Sequence, residues 1–427
     1  MASPAPPIAD RQALSAPPSP LPALADEILE DIFIRLPPAD LARTSAACPS
    51  FRRIITGRSF LRRFRATHPP PLLGFAAYEG FHPAQPPDPS APLARALADS
   101  ADFSYSFVPT GRWNTPWRPR DVRQGRVLLQ CTAESNPLYD YYDDVFVRDL
   151  ELAVCDPLFR RYVLLPPIPG ELRAKHKRLL EFGLFLAPSG EHEEDTAFSV
   201  VCMACNKNSL VSFVFSSITG KWRIPAYFSW GSLGTVMPYT RYSSSSLDYE
   251  RCFYWTAPCG NMFLVVDALR LELSVINKDL TAYHARYSGV PLILAGRDGP
   301  EVFILADFFG DGPTELMRII KQNDGESSDE WLFANTISLP SQYNFFTLGA
   351  AEGFLFLRGI LQDQDSSSSS DESSDNMGHM AVDSPDVVYY SLDVKTRELK
   401  KVCVLKQCFH SVYPYLGFPL PLANPSI

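Results

Sequence analysis

The cysteine pair Cys202 and Cys205 has the Cys-x-x-Cys spacing that many zinc sites use. A structural zinc ion takes four ligands, and no second cysteine pair stands nearby in the sequence. The pair lies in an apolar run that begins Val200-Val201, which favours thiols buried in a core. The chain has nine cysteines, an odd number, which indicates reduced thiols in an intracellular protein. We therefore expect no metal and no disulfide framework.

Three further patterns resemble catalytic or cofactor motifs but lack an essential residue. Gly220-Lys221 could end a phosphate-binding loop, but Trp222 replaces the hydroxyl residue that such a loop needs for magnesium. His192-Glu193 could begin a zinc-protease helix, but Thr196 occupies the place of the second histidine. The acids from Asp363 onward lack the glycine of a calcium loop. The sequence therefore predicts neither an enzyme active site nor a cofactor.

A basic run of six arginines occupies fourteen residues without one acid: Arg52, Arg53, Arg58, Arg62, Arg63 and Arg65. Such a run could bind nucleic acid, bind an acidic protein partner, or form a solvated face without a partner. The chain as a whole has a net charge of −9, which argues against nucleic acid. A helical module that meets an acidic protein is the interpretation that we prefer, ahead of the solvated face.

Length and composition indicate which structural elements could position these candidate residues. A chain of 427 residues suggests two or three domains at about 150 residues each. Apolar residues make up 46% of it, enough for sizeable cores, and 39 prolines argue against long helices. No apolar run approaches the roughly 18 residues that a membrane-spanning helix needs, so we expect no membrane association.

Residues 1–22 contain seven prolines and no apolar block, which predicts a disordered leader. Residues 23–67 then have helical periodicity. The apolar residues of the first helix recur on one face and end at Pro37-Pro38, and shorter helices are expected over 39–48, around Phe51 and from Ser59. The sequence thus predicts a small helical domain with proline at both ends.

Beyond residue 72, the pattern changes to short β-like runs separated by turns, after a Pro- and Ala-rich connection over 79–100. Five strand–turn–strand units have turns at Asp156, Ser217, Asp267, Asp324 and Asp393, in steps of 61, 50, 57 and 69 residues. Repeats of this kind are typical of propeller blades with variable loops, and a pair of irregular β-sandwiches is the alternative. The fold class is therefore multidomain, α followed by all-β, with the blade number left open.

Residues 362–384 form a serine- and acid-rich insertion in this second domain, for which we expect disorder. Serines followed by acids are substrates for acid-directed kinases, although a solvated loop without a role is the simpler interpretation.

The segment Leu24–Ile55 resembles an F-box. The resemblance rests on the Ile-Leu-x-x-Ile-Phe helix at Ile28–Phe33, the following Leu36-Pro37, and Asp40-Leu41 four residues later. It spans nearly all of residues 23–66, and the tail from Ser59 to Phe75 is similar to that of grass-type plant F-box proteins. The runs beyond, such as Cys252-Phe-Tyr-Trp, resemble more loosely the F-box-associated β-propeller region of those proteins, here 72–427.

This resemblance implies a substrate-receptor subunit of an SCF-type (Skp–cullin–F-box) ubiquitin ligase, a non-catalytic adaptor of the cytoplasm and/or nucleus. Its partners would be a Skp-type adaptor, through it a cullin, and an unknown target protein held by the propeller. The residues expected to bind the adaptor are Leu24, Ile28, Leu29, Ile32, Phe33, Leu36, Pro37, Leu41, Cys48 and Phe51.

Two alternatives remain open at this level. Ala25, Pro49 and Phe51 depart from the usual F-box pattern, so a scaffold that no longer recruits a cullin is the second hypothesis. The aromatic residues Trp113, Trp117, Tyr139, Tyr141 and Tyr142 could contact a target, although packing in the core is the commoner role of such residues.

Overall fold

The computed structural model describes residues 24–68, 70–132, 146–174, 178–187, 197–233, 245–247, 252–256, 262–267, 270, 272–277, 292–296, 299–306, 314–321, 331–362, 386–406 and 411–417. The predicted leader, the insertion after Gln362, Asp324, and the three tyrosines Tyr139, Tyr141 and Tyr142 lie outside these residues. The chain divides into two compact units, with the boundary between Pro69 and Pro70.

The first unit consists of four short helices: α1 (Asp26–Phe33), α2 (Pro38–Ala47), α3 (Pro49–Ile55) and α4 (Arg58–Thr67). Proline is the first residue of both α2 and α3, where its fixed φ and missing N–H suit a helix start. The core of the unit contains the fully buried side chains of Leu41, Ile55, Phe60 and Phe64. The first helix is shorter than its apolar pattern suggests, because the chain after Phe33 tightens into i→i+3 bonds at Arg35 and Leu36.

The second unit consists mainly of antiparallel sheet. Among the described residues, five sheets have four strands each, and the four strands of each sheet are consecutive in the sequence. The first two of these sheets contain β3 (Arg118–Arg123), β4 (Arg126–Cys131), β5 (Glu151–Asp156) and β6 (Arg161–Leu164), then β7 (Leu180–Ala187), β8 (Ser199–Asn206), β9 (Ser209–Ser216) and β10 (Lys221–Ser229).

The third and fourth of these sheets contain β11 (Ser245–Leu247), β12 (Cys252–Thr256), β13 (Met262–Asp267) and β14 (Glu272–Asn277), then β15 (Leu292–Gly296), β16 (Gly299–Ala306), β17 (Glu315–Lys321) and β18 (Trp331–Ser338). The fifth contains β19 (Tyr343–Ala351), β20 (Phe354–Leu361), β21 (Val387–Asp393) and β22 (Leu399–Leu405).

A further sheet of three strands joins the two ends of this unit. It contains β1 (Leu72–Ala77), β2 (Gly80–Pro83) and β23 (Tyr413–Leu416), in the order β2-β1-β23. β23 also lies against β3, and β3 in turn lies against β7. The sheets therefore succeed one another as propeller blades, and this arrangement sets aside the sandwich alternative.

Gly74 allows β2 to lie close to β1. Its φ is +145°, which L side chains rarely adopt, and a Cβ placed there would overlap the carbonyl oxygen of His82. The phenol of Tyr415 in β23 donates a hydrogen bond to the carbonyl oxygen of Gly125, at 3.2 Å. The joining sheet is thus fixed to the turn that connects β3 and β4.

The Pro- and Ala-rich connection over residues 79–100 contains secondary structure that the sequence analysis does not predict. This stretch contains β2 and the helix α5 (Ala91–Ser100). Ala91, Ala94 and Leu97 are buried on one side of α5, which packs beside β1 and β2. Two of these three residues are alanines, so the helical pattern is weak in hydrophobicity and is masked by the surrounding prolines.

Aspartates begin the hairpin turns, as their positions in the sequence suggest. In the β5–β6 turn, Oδ1 of Asp156 accepts hydrogen bonds from the amides of Leu158 and Phe159, at 3.0 and 3.1 Å. Asp393 does the same for Lys395 and Thr396 in the β21–β22 turn. Among the described residues, no helix has both the length and the hydrophobicity to cross a membrane.

Candidate functional site

An apolar stripe lies on the exposed side of α1. Leu24, Ile28 and Ile32 follow one another at intervals of four residues and are 45%, 50% and 47% exposed. Ile28 and Ile32 lie on one face of α1, about one turn apart, and Leu24 continues this spacing just before the N-cap residue Ala25. A row of exposed aliphatic side chains on one helix is a candidate docking surface.

Ion pairs hold α1 to the rest of the helical unit. Asp26 pairs with Arg53 of α3 at 2.7 Å, while Arg63 of α4 pairs with both Glu30 (2.8 Å) and Asp31 (3.0 Å). These side chains are partly exposed, so each pair contributes no more than about 1 kcal/mol. Their main consequence is geometrical, since they fix which face of α1 turns outward.

Two of the residues predicted to bind the adaptor are core residues. Phe33 is 4% exposed and Leu41 is fully buried. The ring of Phe33 meets that of Phe51 edge to face, with 5.1 Å between the ring centroids. The expectation that Phe33 and Leu41 contact a partner is therefore corrected. An apolar residue on a short helix packs either in the core or on the surface, and these two pack in the core.

The remaining predicted residues lie between these extremes. Pro37 is exposed in the turn before α2, whereas Leu29, Leu36, Cys48 and Phe51 are half-buried. The carbonyl of Pro37 accepts the amides of Asp40 and Leu41, both at 3.0 Å, so the turn is closed onto the start of α2. Leu24, Ile28, Ile32 and Pro37 thus form the exposed part of the predicted site, which we call the α1 stripe.

Cys48 precedes α3 and is hydrogen-bonded at its thiol. Its sulfur lies 3.1 Å from the hydroxyl oxygen of Ser50. This side-chain hydrogen bond, followed by those from the backbone of Phe51 and Ser50, lowers the pKa of the Cys48 thiol below its usual value. Cys48 is consequently the most readily ionised of the thiols for which the structure gives a pKa direction.

Two arginines of the basic run form ion pairs within the helical unit itself. Arg53 and Arg63 are the residues that pair with the acids of α1, whereas Arg52 is exposed. The side chains of Arg58, Arg62 and Arg65 lie outside the described part of the structure. The signal that could have revealed the pairing is the acidic first half of α1, complementary in charge to the run and about thirty residues away.

The thiols of Cys202 and Cys205 lie on different sides of β8. Cys202 packs in a cluster with Val200 and Phe213, whereas Cys205 belongs to a second cluster with Val201 and Met203. Burial raises the pKa of the Cys202 thiol well above its usual value. In the part of the chain that the structure describes, no group of three or more His, Cys, Asp or Glu side chains could hold a metal ion.

Trp113 and Trp117, two of the candidate target contacts, pack within the second unit. Trp117 is buried and its Nε1 donates to the carbonyl of Pro109 at 2.9 Å. Trp113 is half-buried, and its Nε1 donates to the carbonyl of Asp149 at 3.1 Å. Both indoles have their polar atom satisfied within the fold, so their first role is to fix the loop 101–117 onto the sheets.

Two family models match the chain. An F-box domain matches residues 21–63, and the β-propeller described as "F-box protein AT5G49610-like" matches residues 120–419. The second match covers well over half of the chain. None of the curated proteins matches.

The solved structures found by comparison are distant from this chain. TolB from Acinetobacter baumannii is 12% identical with a TM-score of 0.32, and the match covers 72% of this chain and 56% of the TolB chain, a little over half its length. A chain of a nidogen/laminin complex is 9% identical with a TM-score of 0.33, over 74% of this chain and 94% of that one. The Malassezia sympodialis allergen Mala s 1 is 10% identical with a TM-score of 0.31, over 66% and 76%. The TM-scores are low, and nothing about the function is drawn from these three proteins.

Proposed function

The chain belongs to the family of F-box proteins with an AT5G49610-like β-propeller, and on this basis we propose that it is the substrate receptor of an SCF-type ubiquitin ligase. In this role, residues 23–67 bind a Skp-type adaptor, which connects them to a cullin. The region 72–427 holds a target protein for ubiquitination. The chain itself needs no catalytic residue and no cofactor, because the chemistry belongs to other subunits, and it would act in the cytoplasm and/or the nucleus.

The observation that carries this proposal is the α1 stripe. An amphipathic helix that presents residues i, i+4 and i+8 to an apolar groove is a recurring mode of protein recognition. Ile28 and Ile32 have this spacing within α1, Leu24 continues it just before the helix, and all three are about half exposed. The ion pairs of α1 with α3 and α4 support the same interpretation, because they hold the helix in this orientation before any partner binds.

The experiment is co-expression of the full chain with a Skp-type adaptor and a cullin, followed by size-exclusion chromatography. We expect a stoichiometric complex for the wild type and none for the double variant Ile28→Asp/Ile32→Asp. The matched control is Ile218→Asp in the β9–β10 turn, since Ile218 is 67% exposed in the second unit. A double variant that binds as well as the control would refute the docking face.

A non-ligase scaffold is the second candidate function. The observation in its favour is that Ala25, the N-cap residue of α1, makes no side-chain hydrogen bond to the helix. An N-cap without such a bond is less stable by about 1 kcal/mol than one with Ser, Thr, Asp or Asn. A chain that binds the adaptor but does not bring down a cullin would support this alternative.

A further inference from the structure

A groove of about 680 Å³ opens in the second unit, beside the short 3-10 turn Val147–Asp149. It lies between the segment that leads into β5 and the one that leads into β7. These two segments touch, because the amide of Val147 donates to the carbonyl of Leu179 at 3.1 Å and Phe146 forms a β-bridge with Leu180. The volume falls within the range of about 300–1,000 Å³ that is usual for ligand sites.

Three arginines line this groove: Arg148, Arg173 and Arg178. The other described lining residues are apolar or small, and none is acidic. The accumulation of positive charge is local, since the chain has a net charge of −9. We call this site the arginine groove.

Two of the three guanidinium groups are positioned by the fold. Arg173 donates from Nε to the carbonyl of Ile168 at 3.0 Å. Arg148 donates from Nε to Oδ2 of Asp149 at 3.2 Å, and its guanidinium lies 5.1 Å from the centre of the Phe146 ring. A guanidinium has five N–H donors in a planar fork, so a bond through Nε leaves the Nη groups for an anion. Positioned arginines of this kind lose less entropy when an anion binds.

The charge balance of the arginine groove favours phosphate over carboxylate. Among the described residues that line the groove or form an ion pair with its lining, three guanidiniums and the carboxylate of Asp149 leave a charge of about +2. A phosphorylated side chain has a charge of about −1.5 to −2 at neutral pH, whereas a single Asp or Glu has −1. Guanidinium forks also match phosphate oxygens two at a time.

We propose that the arginine groove binds a phosphorylated side chain in an exposed segment of the target protein. This inference rests on the proposed receptor function and names the chemical class of its target. Phe146 and Leu179 supply an apolar wall beside the arginines, which suits an apolar residue next to the phosphate. The occupant that we propose is a segment of another protein, because the proposed receptor role gives the second unit a target to hold.

The test uses the unphosphorylated full chain and fluorescence anisotropy. The probe is a labelled peptide pool with a fixed central phosphoserine and mixed residues on either side, compared with matched pools that have serine or aspartate instead. We expect the phosphoserine pool to bind and the serine pool not to bind, with the aspartate pool weaker than the phosphoserine pool. Binding should also weaken as salt is added. Equal binding of the phosphoserine and serine pools would overturn the proposal.

The variant Arg148→Gln/Arg178→Gln should weaken binding of the phosphoserine pool by about 100-fold, since two charge-assisted hydrogen-bonding groups are lost. The matched control is Arg160→Gln/Arg397→Gln. These arginines are exposed in hairpin turns with φ of 52° and 60°, close to the 52° of Arg178. If the first variant does not fold, Arg148→Lys/Arg178→Lys keeps the charge and loses the fork, and we expect weaker binding there too. An equal loss in the control, or no loss in either groove variant, contradicts the assignment.

Two competitors decide the source of the phosphate. Inorganic phosphate that displaces the pool at the affinity of the pool itself would reduce the groove to an adventitious ion site only. If a phosphoserine peptide copied from residues 362–375 binds more tightly than the pool, the occupant of the groove is this chain's own segment and not a target protein. The proposal expects neither result.

The receptor function and the arginine groove can fail separately. The variant Arg148→Gln/Arg178→Gln should keep full binding to the adaptor, whereas Ile28→Asp/Ile32→Asp should keep full binding to the phosphoserine pool. A wild-type chain that binds the adaptor but not the phosphoserine pool would reject the arginine groove alone. A wild-type chain that binds the phosphoserine pool but not the adaptor would retain the arginine groove and reject the ligase role.

Discussion

Truncation of Ile28 and Ile32 to alanine should separate binding of the adaptor from stability of the helical unit. The two side chains are 50% and 47% exposed, so roughly half of each remains for a partner to cover. Complete burial of an isoleucine contributes about 1.5–3 kcal/mol, so the exposed halves contribute about 1 kcal/mol each. Loss of both corresponds to about 2 kcal/mol, or a Kd for the adaptor that is about 30-fold higher.

Phe33→Ala is the contrasting variant. Phe33 is only 4% exposed and its ring packs against Phe51. Removal of a buried phenylalanine costs about 3–5 kcal/mol of unfolding free energy. A unit of this size has little stability to spare, so we expect α1 to α4 to open in this variant.

Two measurements on each variant give the comparison. Isothermal titration calorimetry gives the Kd for the adaptor, and amide hydrogen exchange over α2 to α4 gives the local stability of the unit. Ile28→Ala/Ile32→Ala should lose affinity at a smaller cost in exchange protection, while Phe33→Ala should lose most of its protection. The control Leu164→Ala/Ile218→Ala removes exposed apolar side chains, 48% and 67% exposed, from the second unit and should change neither quantity.

Two results would contradict the roles given to the α1 stripe and to Phe33. If Ile28→Ala/Ile32→Ala binds within about threefold of the wild type, the α1 stripe is not the docking face. If Phe33→Ala keeps full protection but loses affinity, Phe33 is a contact residue after all, and the correction drawn from its burial fails.

Three further outcomes follow from single positions. Gly74→Ala should lower the urea midpoint of the second unit much more than Gly80→Ala, since both have positive φ but only Gly74 has backbone of a neighbouring strand in the way. Burial raises the pKa of Asp156 in the folded state, more than its two backbone hydrogen bonds lower it. The wild type therefore loses stability as pH rises through the unfolded and then the folded pKa. Asp156→Asn, whose amide oxygen can still accept both bonds, should melt higher than wild type at pH 7, with the gain shrinking in melts taken towards pH 3. A lower melting temperature at pH 7 would contradict this. Iodoacetamide should label Cys48 before Cys202 in mass spectra of the native chain, and equal rates would show that burial does not protect the second thiol.

The local elements of this protein can be predicted from its sequence because their signals are local. Turn aspartates such as Asp156 and Asp393 mark hairpins through bonds to residues two or three positions later. The four helices of the first unit follow from apolar spacing and proline. The helix Ala91–Ser100 escapes this reasoning because small buried residues give little hydrophobic contrast.

The outward direction of the α1 stripe could not be predicted from spacing alone. Ile32 and Phe33 are neighbours in the sequence and both are apolar, yet one is 47% exposed and the other 4%. What decides between them is a contact with a residue of α3, together with the ion pair of Glu30 and Arg63 across thirty-three residues. The arginine groove is harder still to predict from the sequence, since Arg148 and Arg178 come together only through the contact between the segments that lead into β5 and β7.

The joining of β1 with β23 also sets an order of events during synthesis. Leu416 pairs with Leu72 but leaves the ribosome about 340 residues after β1, which is about 20–70 s at usual elongation rates. For that interval β1 has an open edge on the side that β23 later occupies, and unpaired edges recruit other strands. The described residues of the helical unit, in contrast, all lie within the first 68 residues. Each newly made chain thus has the described residues of its helical unit well before the sheets of the second unit are joined by β23.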